Sequence, residues 1–434
     1  MLRNTQKILS VVKDELLARR PLRPFALERF DGWNDSTLSL SSSECEPLLL
    51  SELLSHADDE GLERWEKLSL GYVEPSNGSE FLRREILEAQ FDNDATKLDP
   101  TCVNVCAPQE AIFLARHALC QPRDHVVVVA PAYQSLHEVA ASLGCQIDTW
   151  WPEEEETEIV SFDGQTTKTK SFRFRPETLQ KLLRPDQTKL VVANFPHNPT
   201  GALPTRHEFQ QMVDMISDCG SSWFLVDEMY RGLEHPKQNQ LFVEPLPAVA
   251  DCMDKGISLG GVSKSYGLPG LRVGWLVNRD AKFQKRVAEL KDYTSICPPA
   301  PSEALAFIAL RAQHALWQRS RNIVSHGLPL LRQFVTSHQS NHQHHHQDIR
   351  LEWFEPLGGT FAWVRFKHKN NQLAITASQY CDAVRQRTGL MMIPSALFPE
   401  CQETDDSIRL TYGRKGMEQL LELWKSDMMN SSQN

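Results

Sequence analysis

No run of about 18 apolar residues occurs in this 434-residue chain, so the sequence offers no membrane-spanning helix and no membrane partner is expected. Among its ten cysteines there is no C-x-x-C pair and no spacing of the secreted, disulfide-framework kind. Several, such as Cys120 and Cys145, lie in apolar segments where a thiol is read as a small core filler, and a reducing cytoplasm fits best. An excess of positive charge is missing too. With 46 Lys and Arg against 56 Asp and Glu, the formal net charge is -10, which argues against a nucleic-acid partner. No internal repeat is visible.

What is present is ordinary globular material: 41% hydrophobic and 24% charged residues, over a length that suits two domains sharing an interface. The first twenty residues, MLRNTQKILSVVKDELLARR, place Ile8, Val12 and Leu16 on one helical face. Asp14 and Glu15 are unusual in a mitochondrial presequence, so a helix capping the fold is the reading, with organelle import as its alternative. HQSNHQHHHQD, at 338–348, is His-rich but supplies no fixed ligand set, and reads as a solvated loop; no metal is expected.

Between residues 100 and 280 short, nearly continuous apolar runs recur: CVNVC, HVVVVAP, KLVVANF, WFLVDE, GISLGG and RVGWLV. Runs without polar alternation suit strands covered on both faces, as in a mostly parallel sheet. Segments of helical period lie between several of them, for instance Pro108 to Leu119 and His207 to Ile216, which gives an α/β layered domain. After about residue 280 the pattern changes. A helical stretch leads through CPPAPSE into another helical run to about Arg321, LEWFEPLGGTFAWVRF reads as a hairpin and IRLTYG as a further strand. The expected division is a large α/β domain over 61–299 and a smaller α+β domain built from 1–60 and 300–434.

In GVSKSYGLPGLRVGWL, at 261–276, Lys264 sits at the end of an apolar strand. A buried lysine has its pKa lowered by desolvation, and the neutral amine is a nucleophile toward carbonyls. Alone, it would read as a surface residue with its charge in water. ANFPHNPTGALP, however, places Asn198 at the end of another buried strand, and FLVDEMY does the same for Asp227, with Tyr230 three residues later. In parallel α/β sheets ligands gather outside those strand ends. An acid, an amide, a phenol, a lysine and Arg272 on one rim suit an aromatic, phosphorylated aldehyde cofactor.

HNPTG, VDEMY and SKSYGLPGLRVGW resemble, in order and spacing, the signature segments of the class I/II aminotransferases, the fold type I pyridoxal-phosphate-dependent enzymes, over about Leu70 to Gly413. The resemblance implies pyridoxal 5'-phosphate as cofactor, with Lys264 forming the internal aldimine and then moving a proton at the substrate Cα. It makes Asp227 the partner of the pyridine nitrogen, and Asn198 and Tyr230 the donors to the ring's phenolic oxygen. Arg272 and Ser263 would hold the phosphate together with the helix start at Ala107 and Pro108. Tyr133 would stack on the ring, and Tyr72 would reach the phosphate of the neighbouring subunit in a homodimer with shared sites. Arg409, in SIRLTYG, matches the arginine that clamps the substrate α-carboxylate, a task suited to a rigid guanidinium fork.

Two departures stand out. Relatives often carry a Gly-Ala-Ser/Thr loop where this chain has Cys106, Ala107 and Pro108, and a serine where it has Gly261. The implied activity is transamination of an α-amino acid with a 2-oxo acid, through aldimine, quinonoid and ketimine intermediates. KDYTSICPPAPSE lacks the second arginine of aspartate-type relatives, so a dicarboxylic substrate is not expected. The segment SLSSSECEPLLL, at 39–50, together with VCAPQEAIF, is more similar to a capreomycidine synthase-like subgroup that cyclises a guanidino amino acid. Elimination or cyclisation on a cationic substrate therefore stays open, as does a silent scaffold. For Glu44 and Glu46 in that segment a solvated acid at a helix start is the expectation.

Overall fold

The computed structural model describes residues 19–27, 38–91, 98–160, 166–236, 243–340, 349–368 and 375–430. The amphipathic stretch at the N-terminus and most of the His-rich tract, 341–348, lie outside them. All six apolar runs are strands of one seven-stranded sheet. In chain order the strands are β1 (Val103–Cys106), β2 (His125–Val129), β3 (Gln146–Trp150), β4 (Thr188–Asn194), β5 (Trp223–Asp227), β6 (Gly256–Gly261) and β7 (Gly274–Val277). Across the sheet the order is β1-β7-β6-β5-β4-β2-β3, and only β7 runs antiparallel to its neighbours.

The apolar runs are continuous because each strand feeds two cores. Val126, Val128, Leu190, Val192 and Leu225 face one cluster, while Val127, Val129, Val191, Ala193, Phe224 and Val226 face the other. Full burial of one such side chain contributes roughly 1.5–3 kcal/mol. Helix α1 (Pro108–Leu119) covers the first face and follows β1 directly.

A second, antiparallel sheet contains β8 (Ile349–Trp353), β9 (Phe361–His368), β10 (Ile393–Pro394) and β11 (Ser407–Thr411), in the order β8-β9-β11-β10. The hairpin expected in LEWFEPLGGTFAWVRF is the β8–β9 pair. Helix α2 (Ala300–Arg311) packs in one cluster with Val103, Val105 and Trp275, so the layer around the large sheet extends past residue 299. Helix α3 (Gln313–Ser340) runs on well beyond Arg321, through Pro329, because Val324, Leu328, Leu331 and Val335 keep one stripe buried against the second sheet. The two layers meet at Gly201, where there is no room for a side chain: at φ 69° a Cβ would lie 2.4 Å from Pro356, and the Gly201 carbonyl accepts from Leu357 N–H at 2.8 Å.

Segment 19–27 packs against the helix Gln134–Ser142, where one carboxylate gathers most of its charged contacts. Glu138, 3% exposed, accepts from both guanidinium Nη atoms of Arg20, from Arg23 N–H at 2.7 Å and from Arg23 Nε at 2.9 Å. Burial opposes its ionisation, but these donors outweigh it and bring the carboxyl down to about 2. The pKa is depressed in the fold, so the contribution is present above about 4.5, the ordinary glutamate value, and is lost as pH falls toward 2. Glu138→Gln is expected to cost roughly 1.5–3 kcal/mol at neutral pH, the scale of hydrogen bonds to a charged group. Chymotrypsin should then cut faster after Phe25, and acidification should destabilise the variant less than the wild type; equal cutting rates would refute the clamp.

Candidate active site

The parallel strands β2, β4, β5 and β6 end at one edge of the large sheet, and the reversed strand β7 begins there. That single reversal is why Arg272, two residues before β7, reaches the same rim as Lys264, Asp227 and Asn198. Together with Ser43, Pro108, Gln109, Tyr133, Tyr230 and Ser263, they line a cavity of about 580 Å³, within the range of small-molecule sites.

Asp227 closes β5 and is 7% exposed. Desolvation pushes its carboxyl up to about 7, against the pull of Met229 N–H, which donates to Oδ1 at 3.1 Å, and of the Lys264 charge. Lys264 shifts the other way: burial lowers its pKa first, Glu44 and Asp227 raise it, and Arg409 and Arg272 lower it again. Its Nζ donates to Ser43 Oγ at 2.7 Å and lies 3.8 Å from Glu44. Tyr230, 3% exposed, hydrogen-bonds the same serine and sits edge-on to Phe361, with ring centroids 4.9 Å apart.

Asn198 is oriented by its surroundings. Its backbone N–H donates to Asn194 Oδ1 at 2.7 Å, and Asn194 Nδ2 donates to the Asp227 carbonyl at 2.9 Å. Arg409 Nη1 donates to Asn198 Oδ1 at 3.0 Å, which leaves the amide its Nδ2 donor for a ligand. Arg409 itself is 3% exposed on β11. Nη2 donates to the Ser41 carbonyl at 2.6 Å, and Nε has no partner.

A phosphate-sized anion finds donors at the other end of the cavity. Ser263 Oγ is buried without a hydrogen-bond partner, the kind of orphan a bound anion would satisfy. The first turn of α1 leaves Gln109 N–H without an intrahelical acceptor, since that ladder starts at Ala111 N–H to Ala107 O. Arg272 takes the left-handed conformation at φ 56° and is exposed at the rim. Ala107 is not among the lining residues, and its N–H donates to the Glu110 carboxylate at 3.3 Å. At Gly261 a Cβ would lie 2.9 Å from the Val273 carbonyl, so no serine fits there and Ser263 is the hydroxyl that remains.

Of the residues expected from sequence, Lys264, Asp227, Tyr230, Asn198, Arg272, Tyr133, Pro108 and Ser263 line the cavity, and Arg409 stands directly behind Asn198. Tyr72 does not join them within one chain; it is 82% exposed. Ser43, Gln109, Asn194 and Phe25 were not anticipated. Phe25 packs on Tyr133 at 5.1 Å between centroids. Glu44 and Glu46, expected to be solvated, instead share Arg414: Glu44 at 2.5 Å and Glu46 at 3.7 Å. The segment carrying them crosses the site as a strap, with Thr411 N–H donating to Leu40 O and Glu46 N–H to Gly413 O, each at 2.8 Å.

Comparison with known proteins adds relatives to this geometry. A capreomycidine synthase of Streptomyces vinaceus is 28% identical over 67% of this chain and 65% of its own length. An aspartate aminotransferase of Rhizobium meliloti is 28% identical over 58% of this chain and 59% of its own. The chain thus spans somewhat less than two thirds of these curated relatives. Among solved structures, a PLP-dependent aminotransferase from Streptococcus suis aligns with a TM-score of 0.75 at 22% identity, covering 95% of this chain and 99% of that one. The PLP-dependent cyclase OrfR aligns at 0.76 and 23% identity, with coverage of 95% and 99%. Both share the α/β architecture of a mostly parallel sheet flanked by helices. The family model for aminotransferase class I and II matches residues 54–423, and with most of the chain inside that span the protein belongs to the class I and II aminotransferase family.

Proposed function

We propose that this chain is a pyridoxal-phosphate-dependent aminotransferase acting on a non-dicarboxylic α-amino acid and a 2-oxo acid. The observation that carries the reading is the opposed pair in one cavity: an amine pushed toward its neutral form and a carboxyl poised at about 7. When bound, pyridoxal phosphate supplies an aldehyde that links to amines and a ring that accepts the electron pair released at Cα. Lys264 Nζ is the amine for that aldehyde and then, unlinked, the base that takes and returns the Cα proton. Asp227 would accept from the ring nitrogen and keep it protonated. Asn198 Nδ2 and Tyr230 OH would donate to the ring oxygen, Tyr133 would pack against the ring, and Ser263, Gln109 N–H and Arg272 would hold the phosphate. Arg409 holds the substrate carboxylate, exchanging its bond to the Ser41 carbonyl for it.

A second reading rests on Glu44. Its carboxylate beside Lys264 favours a substrate with a cationic side chain, and so an elimination or ring closure on that chain. The two differ in products: a 2-oxo acid with the aminated cofactor for transamination, and ammonia or a cyclic amino acid for the alternative.

A homodimer with shared sites is supported by Leu70, Tyr72, Tyr293 and Ile296, large apolar or aromatic side chains left 52–91% exposed. All ten cysteines are unpaired thiols, which supports a cytoplasmic location. Sedimentation equilibrium should give twice the chain mass, with Tyr72→Ala lowering cofactor affinity; a single-chain mass would end the shared-site proposal.

Borohydride reduction of the cofactor-loaded protein should leave a pyridoxyl group on Lys264 and on no other lysine, and Lys264→Ala should abolish turnover. Labelling elsewhere, or an active alanine variant, would sink the assignment. Without cofactor, Asp227 is raised from an ordinary 3.8 to about 7, so its contribution to stability is complete below pH 4 and disappears as pH rises through 7. A bound pyridinium reverses that loss by pairing with the carboxylate. The rise in Tm on adding pyridoxal phosphate should therefore grow between pH 5 and 8 and should be flatter in Asp227→Asn, whose turnover should fall roughly 10²- to 10⁴-fold, as for a broken buried charge pair.

A further inference from the structure

The far end of α1 from the cavity carries a second group of reactive side chains. Cys120 caps that helix, its N–H donating to the Arg116 carbonyl at 2.8 Å, and is 3% exposed. The turn after it lies against the loop before β3: Arg123 N–H donates to Gly144 O at 2.8 Å and Gln146 N–H to Asp124 O at 2.9 Å. This pairing brings Cys145, half-buried, against Cys120. Its Sγ is 3.5 Å from the carbonyl of Gln121, the residue next to Cys120, and the two thiols act on each other electrostatically. No spacing motif pairs the two thiols, and each read as core filler.

Arg116 supplies the independent observation. It is 0% exposed, Nη2 donates to the Leu136 carbonyl at 3.2 Å, and both Nε and Nη1 lack any hydrogen-bond partner. A guanidinium does not shed its proton in a protein, and a buried charge without a counter-ion is costly. The titratable groups that act on it are Cys120 and Cys145. A thiolate shared within that pair is the anion the site calls for. The neighbouring Cys145 favours the Cys120 thiolate, desolvation resists it, Arg116 and Lys189 support it and Asp124 opposes it. Cys145 is pushed up in turn, because it keeps the shared proton.

We propose that Cys120 and Cys145 form a redox-active dithiol, with Arg116 as counter-ion to its thiolate, and that low-molecular-weight disulfides convert it into an intramolecular disulfide. One thiolate attacks a sulfur of the reagent RSSR, forming a mixed disulfide and expelling RS⁻. The second thiol, losing its proton, attacks the protein sulfur of that bond, forms the Cys120–Cys145 bond and expels the other RS⁻. Two electrons pass to the reagent, and two protons leave with the two RSH formed.

The test uses the full-length, cofactor-loaded and fully reduced protein at neutral pH. Oxidised glutathione should remove two titratable thiols, and peptide mapping should find Cys120 joined to Cys145. Limited alkylation with iodoacetamide should label Cys120 severalfold faster than the half-buried Cys252 and Cys297, as expected of a thiol with more thiolate character. Cys145→Ser should stop at a glutathione adduct or an unmodified Cys120, with no internal bond. Arg116→Met should cancel the labelling advantage. Should that variant fail to fold, the wild type alone decides: no Cys120–Cys145 peptide after glutathione treatment, or labelling no faster than at Cys252 and Cys297, overturns the proposal.

Discussion

An amine and a carboxyl share one cavity largely withdrawn from water, and that desolvation acts on them in opposite senses. It favours uncharged Lys264 and uncharged Asp227, so neither group is at rest as an ordinary ion pair. In the proposed function each finds its partner there: a carbonyl for the amine, a protonated ring nitrogen for the acid. Supporting side chains serve that arrangement. Asn194 ties the Asn198 loop to the end of β5, and Arg409 fixes the Asn198 amide so that its donor is available. Buried polar groups of this kind persist only when their hydrogen bonds are made, and the ones left unmade, at Ser263 Oγ and Arg409 Nε, stand where anions are expected.

Much of this was legible from the chain alone because the relevant strands are doubly covered. Six continuous apolar runs became six strands, and the residues just past their ends became the cavity wall. Strand β3, QIDTW, was missed because it is the sheet's edge, partly exposed and polar. The hairpin of Glu153–Val160 with Thr166–Arg173 was missed for a related reason. It is rich in Glu, Lys and Thr, and cross-strand opposites such as Glu156 and Lys170 replace apolar alternation as its organising pattern.

The site residues that escaped notice share a different cause. Ser43 lies far from Lys264 in sequence and carries no motif, as does Arg414, the partner of Glu44; only the fold brings them to the site. Residues 38–48 precede the part of the chain that matches the family, 54–423, so the family's signature segments give no role to Ser43. Gln109 was hidden by the opposite effect. The proline before it drew attention to a lost donor, whereas the next N–H of the same turn is the one that remains.

The strap also has a consequence for how the protein is made. Ser41 meets Arg409 across 368 residues of chain, and Leu40 pairs with the strand that contains it. On a ribosome that strand is made 368 residues after Ser41, so this wall of the pocket must wait for it. The large sheet is free to form earlier around its local β-α-β contacts, and ordering of the strap is left as a late, long-range closure.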